Sequence, residues 1–327
     1  MALKDKALEV LGSGETVSGA QLARELGVSR NAVWKVMNQL RQSGYEIDAV
    51  TNRGYRLLSA PALLSETEIR RWLTTKELGR ELEIHDQLDS TNNRAKTRAA
   101  AGAPQGLTVI TDSQTGGRGR RGRSFFSPEH KGVYLTCVLR PSCTPEEASL
   151  LTSLAAVATA RAIEKVADAD VKIKWVNDLY IGDKKICGIL SEAGMNMESG
   201  QLDYVAVGIG VNAARMEFPP ELKDIATSIG NETGTNPDRN RLIAEILNEM
   251  EKLYDTMDSA AFLRESRRRS NVIGREITVI EGERKYPARA VDIDSRGHLI
   301  IETAEGRTRL NYGEVSLKLT GKRENEQ

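Results

Sequence analysis

Between Leu107 and Leu139 two β-branched runs enclose a segment with four glycines (Gly116, Gly117, Gly119, Gly122) and four arginines (Arg118, Arg120, Arg121, Arg123). No acid occurs from Ser113 to Pro128. Glycine opens left-handed backbone and lets amides approach a ligand, while arginine presents forked donors that match carboxylate and phosphate oxygens. The segment is therefore built for an anion. It lacks the G-K-[ST] ending of a Walker loop and the G-x-G-x-x-G spacing of a dinucleotide loop. A flexible nucleic-acid-binding tail is the other reading of such a composition. The strands predicted on both sides, 107–112 and 132–139, argue for a loop held at the end of a sheet.

With 327 residues the chain exceeds a single core, so two or three domains are expected. The 46 basic and 46 acidic residues cancel, so any nucleic-acid affinity must come from a local patch. No apolar run reaches the roughly 18 residues of a membrane span, and residues 1–30 lack the basic, apolar, small-residue order of a secretory signal. A cytoplasmic protein with no membrane contact is expected. Cys137, Cys143 and Cys187 form no C-x-x-C pair and read as reduced packing residues; His85, His130 and His298 match no zinc or catalytic spacing and are given no chemistry.

Ser18 is suited to cap a short helix carrying Ala20, Leu22, Ala23 and Leu26 at helical spacing. Gly27 and Val28 supply a turn, and Ser29 caps a second helix with Val33, Val36, Met37 and Leu40 as its buried stripe. Helix, glycine turn and capped helix form a helix-turn-helix. Residues 45–50 and 55–58 add a two-stranded wing with Arg53 at its tip. Ser29, Arg30, Asn31, Trp34 and Lys35 on the second helix, with Arg53, are the candidate DNA contacts. Over 29–56 five bases (Arg30, Lys35, Arg41, Arg53, Arg56) face two acids (Glu46, Asp48), a local charge of +3. Use of this module for protein contact alone is the other reading. One winged unit reads one half-site, so specific binding calls for a dimer on an inverted repeat.

Beyond Pro61 a helical segment is predicted over 66–78 and an Ala/Leu-rich buried helix over 148–167, followed by three strands at 171–181, 183–192 and 203–212. Lys172 and Lys174 alternate with Val171 and Ile173, giving one strand face two cations, and Lys185 precedes the apolar run Ile186–Leu190. A lysine in such a place is ordinarily a solvated edge residue.

Five segments together resemble one family: Asp89-Ser-Thr-Asn92, Gln114 with Gly117–Arg123, Lys174-Trp-Val-Asn-Asp178, Lys185-Ile-Cys-Gly-Ile-Leu190 and Gly208-Ile-Gly-Val-Asn212. In order and spacing they are similar to the bacterial biotin protein ligases, and with the winged head the likeness is greatest to the bifunctional class of biotin operon repressors. Two positions depart from the family pattern: Val176 stands where proline is common and Phe125 where tryptophan is frequent. Neither removes a charged or donor group, so these departures bear on ligand affinity rather than on activity.

The resemblance implies a multidomain α+β chain: a winged helix-turn-helix (1–62), a central mixed-sheet ligase domain with flanking helices, class II synthetase-like (66–269), and a small C-terminal β-barrel (271–327). It implies an ATP- and Mg²⁺-dependent, AMP-forming ligase. Biotin and ATP give biotinyl-5'-adenylate, and a lysine of a carboxyl carrier acceptor domain then takes the biotinyl group. Lys185, Arg118, Arg120 and Asp178 match the catalytic positions. Ser90, Thr91, Asn92, Gln114, Gly119 and Gly188, with Arg118, Arg120 and Lys185, match the biotin site. Arg121, Asn177, Asn212 and Lys318 match the nucleotide side. No dedicated protein ligands to a metal are implied. The adenylate-loaded chain is expected to form a homodimer through the central sheet, bind operator DNA and repress biotin genes. A biotin-sensing repressor without ligase activity and a lipoate ligase are the rivals.

The last part predicts a helical region over 237–266, with the basic run Arg267–Arg269 as a solvated helix end. Short strands from Asn271 onward then form a small antiparallel barrel capping the site.

Overall fold

The computed structural model describes residues 3–12, 15–42, 45–50, 53–59, 63–195, 200–257, 261–311 and 314–317. The first region holds α1 (Leu3–Leu11), α2 (Gly19–Leu26), α3 (Arg30–Gln42), β1 (Glu46–Val50) and β2 (Gly54–Ser59). Ser18 caps α2 by accepting from the Gln21 amide, and Gly27 at φ 66° turns the chain so that its N–H reaches the last carbonyls of that helix. The Ser29 hydroxyl accepts from the Ala32 amide and starts α3. The wing pairs antiparallel with Ile47 opposite Leu57. Ala7 and Leu11 of α1 join Leu22, Val33, Val36, Met37, Leu40 and Ile47 in one core. Sequence reading did not anticipate α1, which carries no cap signal and buries few side chains; its packing against α2 and α3 decides it. Ser18→Ala removes one cap bond and is expected to cost the head about 1 kcal/mol, seen as a lower melting temperature of its calorimetric transition.

The second region runs through α4 (Glu66–Trp72), β3 (Leu82–Leu88), α5 (Thr91–Ala100), β4 (Thr108–Gln114), β5 (Gly132–Leu139), α6 (Pro145–Ala148) and α7 (Leu150–Ala167). It continues with β6 (Lys172–Lys174), β7 (Asp178–Ile181), β8 (Lys184–Met195), β9 (Leu202–Asn212), α8 (Ile229–Thr233), α9 (Arg239–Tyr254) and α10 (Ala261–Arg269). The sheet order is β3-β4-β5-β9-β8-β7-β6, with β3 and β4 parallel and the other pairs antiparallel. Strand alternation divides its two faces. Ile110, Cys137, Val205 and Val207 pack with α7 and α9, whereas Val109, Val138 and Ala206 pack with Ala95 and Ala99 of α5. Both β3 and α5 escaped sequence reading. The first is a polar edge strand, and the second buries only a thin stripe of small side chains.

Three expectations change. The helix predicted over 66–78 stops at Trp72, because side chains of α9 capture the following amides: Thr74 donates to Asn248 (2.8 Å), and Lys76, Glu77 and Leu78 donate to Glu251 (2.6, 2.8 and 2.9 Å). The strand predicted over 171–181 is a hairpin, β6 and β7, that pairs Lys174 with Asp178. Its turn is fixed where Asn177 bonds the backbone of Ile189 and the Trp175 indole donates to the Gly297 carbonyl at 2.9 Å. The basic run is not wholly solvated. Arg268 is 75% exposed, but Arg269 is 12% exposed and bonds Glu164 and Glu265, because the end of α10 lies against α7.

The third region comprises β10 (Glu276–Glu281), β11 (Arg284–Ile293), β12 (Leu299–Thr303), β13 (Gly306–Leu310) and β14 (Glu314–Leu317). They form an antiparallel sheet of order β13-β12-β11-β10-β14 around Ile277, Val279, Ala290, Leu299, Ile301 and Val315. Trp175 of the second region completes this core, so the β6–β7 hairpin is held between the two regions. Edge strand β13 was not read from the sequence, because only Leu310 of its five residues is buried.

Candidate anion-binding cleft

The glycine/arginine segment is a folded loop, not a tail. Gly119 N–H donates to Arg123 O (2.7 Å) and Phe125 N–H to Gly117 O (2.9 Å), while Arg121 (φ 57°) and Gly122 (φ 73°) take left-handed backbone at its tip. A Cβ at Gly117 would come within 2.5 Å of the Phe125 carbonyl, so the neck of the loop requires glycine there. Below it lies a cleft of about 350 Å³, lined also by the start of α5, the β6–β7 hairpin, β8, β9 and β14.

Every described residue singled out for biotin, nucleotide or catalysis lines this cleft. Ser90, Thr91 and Asn92 enter from α5, Gln114 from the end of β4, and Arg118, Gly119, Arg120 and Arg121 from the loop. Asn177, Asp178, Lys185, Gly188 and Asn212 come from the hairpin, β8 and β9. Lys318 lies outside the described residues. Ser90 occupies the N-cap position of α5 but makes no side-chain capping bond, so helix capping does not use its hydroxyl. Hydrogen bonds order the floor. Thr91 N–H donates to Gln114 Oε1 (3.0 Å), Gln114 Nε2 to Ser127 Oγ (2.9 Å), and the Thr136 hydroxyl to Asn92 Oδ1 (2.7 Å).

Lys185 Nζ stands 2.7 Å from Asp178 Oδ1, an ion pair off the line of a hydrogen bond. Its backbone is clamped by segment 225–227 through Lys185 N–H to Ile225 O (3.0 Å) and Thr227 N–H to Lys185 O (2.9 Å). Glycines open the space beside it. The Phe125 ring lies over Gly188 and Gly210, where an added Cβ would meet that ring at 3.2 and 2.7 Å. Asn212 donates through Nδ2 to Thr227 O (2.9 Å), while its Oδ1 is buried without a protein partner.

Among the lining residues six cations, Arg118, Arg120, Arg121, Arg123, Lys174 and Lys185, face two carboxylates, Asp178 and Glu314. Such an excess favours an anionic ligand. Burial pulls the pKa of Arg120 below its ordinary value, with Asp178 opposing, and burial likewise lowers Lys174 against the pull of Asp178 and Glu314. The four loop arginines engage four separate elements. Arg118 reaches Asn93 on α5, Arg120 donates to Asn177 Oδ1 (3.3 Å), and Arg121 donates to Ile280 O (3.0 Å). Arg123 makes a forked pair with Glu314 (2.8 Å twice).

Sequence reading missed the roles of Arg123 and Glu314, because nothing local marks a pair 191 residues apart. It also missed Phe218, Leu222 and Ile225, whose mark is a recurrence of large apolar residues in an otherwise polar stretch. Burial would raise the Glu314 carboxyl, but the Arg123 bonds hold it below the usual carboxylate range, so it is charged at neutral pH. Glu314→Gln is expected to free the loop and speed tryptic cleavage within 118–123 about fivefold, with the cleavage sites read by mass.

On the head, Ser29, Arg30, Asn31, Trp34 and Lys35 share the exposed face of α3, with Trp34 57% exposed, and Arg53 is exposed just before β2. Cys137 and Cys187 are buried and unpaired, and burial pushes the Cys137 thiol up to about 12. Among the described residues, the one group of three His, Cys or carboxylate side chains close enough to share a cation is Asp112, Glu129 and His130. None of them lines the cleft, and Arg239 already pairs with Asp112 at 2.5 Å.

The family model for the biotin/lipoate A/B protein ligase family matches residues 84–212, that of an HTH domain residues 4–56, and that of a biotin protein ligase C terminal domain residues 272–318. The bifunctional ligase/repressor BirA of Bacillus subtilis (strain 168) is 40% identical over 310 residues, 93% of this chain and 94% of that one. Its namesake from Escherichia coli (strain K12) is 30% identical over 316 residues, 96% of each chain. A solved biotin protein ligase from Aquifex aeolicus in complex with biotin and ATP superposes with a TM-score of 0.63 at 27% identity, over 73% of this chain and 99% of that one.

Proposed function

The chain belongs to the bifunctional ligase/repressor family of biotin protein ligases, and from that premise we propose that it activates biotin with ATP, biotinylates an acceptor lysine and represses transcription. The observation that carries the reading is the cation-rich cleft where five separate sequence motifs meet. Three functional units are inferred, with boundaries at 1–62, 66–269 and 271–327.

In the first half-reaction a biotin carboxylate oxygen attacks the α-phosphorus of ATP, the new P–O bond forms, and pyrophosphate leaves. Two anions must meet, so the catalyst supplies positive charge and fixed geometry. Lys185 and Arg120 fit that task at the carboxylate and phosphate, and the ion pair with Asp178 orients the lysine. In the second half-reaction the acceptor amine attacks the acyl carbon and AMP leaves. Asp178, the cleft carboxylate beside Lys185, is assigned to take the proton of that amine. Mg²⁺ bound with the nucleotide would neutralise phosphate charge, and the Asp178 carboxylate and the orphaned Asn212 Oδ1 are hard oxygen donors that fit it. The loop, drawn over the adenylate, would exclude water from the anhydride.

The exposed polar face of α3 supports operator binding, and a dimer on an inverted repeat follows from one half-site per head. Beyond Gly188, β8 has β9 on one side and no strand on the other among the described residues, an open edge that supports adenylate-linked dimerisation through this sheet. No described helix is long and apolar enough to cross a membrane, in keeping with a cytoplasmic role. The test is incubation with ATP, Mg²⁺, biotin and a carboxyl carrier domain. The acceptor should gain one biotinyl group by mass, with parallel arms containing lipoate or EDTA giving none. An unmodified acceptor in the biotin arm would refute the ligase reading.

A further inference from the structure

Glu192 lies on the open half of β8, outside the set of residues that line the cleft. Its side chain is half-buried and gathers three partners. Oε1 accepts from Lys96 Nζ at 2.6 Å, Oε2 accepts from Asn92 Nδ2 at 2.8 Å, and the Arg118 guanidinium stands 3.6 Å from Oε2. Burial would raise this carboxyl, but the bonds from Lys96 and Asn92 and the charge of Arg118 hold it below its ordinary value. It is a fixed negative charge at neutral pH.

Two lines of contact leave that charge. One runs along the floor: Asn92 accepts from Thr136, which also bonds Thr91, which in turn donates to Gln114. The other runs to the loop. The exit limb of the loop is tied to the third region by Arg121 and Arg123. Its entry limb, which includes Gly119, is tied across to α5 and β8 by Arg118 through Asn93 and Glu192.

We infer that Glu192 is a positioning residue for adenylate retention: by holding Arg118 at the lip it fixes the entry limb of the loop over the cleft. This rests on the ligase reading above. Arg118 is exposed, so the pair contributes modestly to stability, yet the limb it anchors covers the site where the labile anhydride must wait. Lys96 bonds the other oxygen of Glu192, and among the described residues it forms no hydrogen bond or ion pair with the loop.

The full-length wild type, Glu192→Gln, Glu192→Asp, Lys96→Met, Arg118→Ala and the double variant are compared for biotin KM, kcat of acceptor labelling, release of biotinyl-adenylate in the absence of acceptor, and melting temperature. Glu192→Gln should raise biotin KM and adenylate release about fivefold with kcat nearly unchanged. Glu192→Asp, which keeps the charge but withdraws it, should fall between. Lys96→Met should leave both near wild type, and in the Arg118→Ala background Glu192→Gln should add nothing. The inference is overturned if a folded Glu192→Gln or Glu192→Asp protein keeps wild-type KM and release, if Lys96→Met reproduces the effect, or if the double variant shows the full added loss. A wild type that forms no adenylate would refute the ligase reading instead, so the two failures are distinct.

Discussion

Lys185→Met is expected to slow biotinyl-adenylate formation by about two to three orders of magnitude, the scale seen when one preorganised donor is removed from a developing oxyanion. Methionine keeps most of the aliphatic stem, and the backbone bonds of Lys185 to Ile225 and Thr227 do not involve the side chain. The fold should therefore survive, with a melting temperature close to wild type. What changes is charge: Asp178, 2.7 Å from Nζ in the native cleft, loses its nearest cation and stands as an unbalanced anion where two further anions must approach. Arginine should restore little, because its planar fork cannot reproduce a compact ammonium packed beside Gly188, where the Phe125 ring also lies. Biotin-dependent exchange of pyrophosphate into ATP reads the step directly. Exchange within threefold of wild type in a folded Lys185→Met protein would remove this lysine from the mechanism.

Arg239→Met is expected to destabilise the central region by about 3–5 kcal/mol, a large share of the stability of an ordinary domain. Arg239, 3% exposed at the first turn of α9, pairs with Asp112 on β4 at 2.5 Å and also donates to the Gly132 carbonyl at 3.1 Å. Removing it leaves a buried carboxylate whose remaining partners among the described residues are the His130 side chain and backbone. Burial would raise the Asp112 carboxyl, but His130 and Arg239 outweigh it and hold the pKa below the ordinary value. A depressed folded-state pKa contributes stability that is complete above the unfolded value, about 4 for aspartate, and is lost as the pH falls through the folded value. The gap between wild type and Arg239→Met should thus be widest above about pH 4 and narrow below it. Urea midpoints measured from pH 3 to 7 test this, and Asp112→Asn in the same background should recover part of the loss, since an uncompensated charge is the costly element. A gap that widens on acidification would contradict the account.

Much of the fold was legible because its signals are local. Ser18 and Ser29 before apolar stripes mark two helix starts, Gly27 marks the turn between them, and runs of apolar and β-branched residues mark β5, β8 and β9. Elements with weak local signals were lost: α5 shows the core only a few alanines and polar residues, and β3 and β13 are polar edges. The hairpin of β6 and β7 read as one strand because its turn is set by Ile189 and Gly297, far along the chain. At the cleft the motif residues were legible as types. The residues that hold them in place, Glu314, Glu192 and the apolar lip at 218–226, were not.

Alone, the sequence determined which faces of its helices and strands turn inward, where glycine must bend the backbone, and that a cation-rich loop follows β4. These depend on neighbours within a few residues, which periodicity and turn chemistry encode. Tertiary structure decided which charge meets which. Lys185 met Asp178 across a strand pair, Arg123 met Glu314 from the last described strand, and Arg269 turned from solvent toward Glu164 and Glu265. Such pairings depend on how distant segments close onto one another, and a charged side chain carries no local mark of the partner that closure will bring.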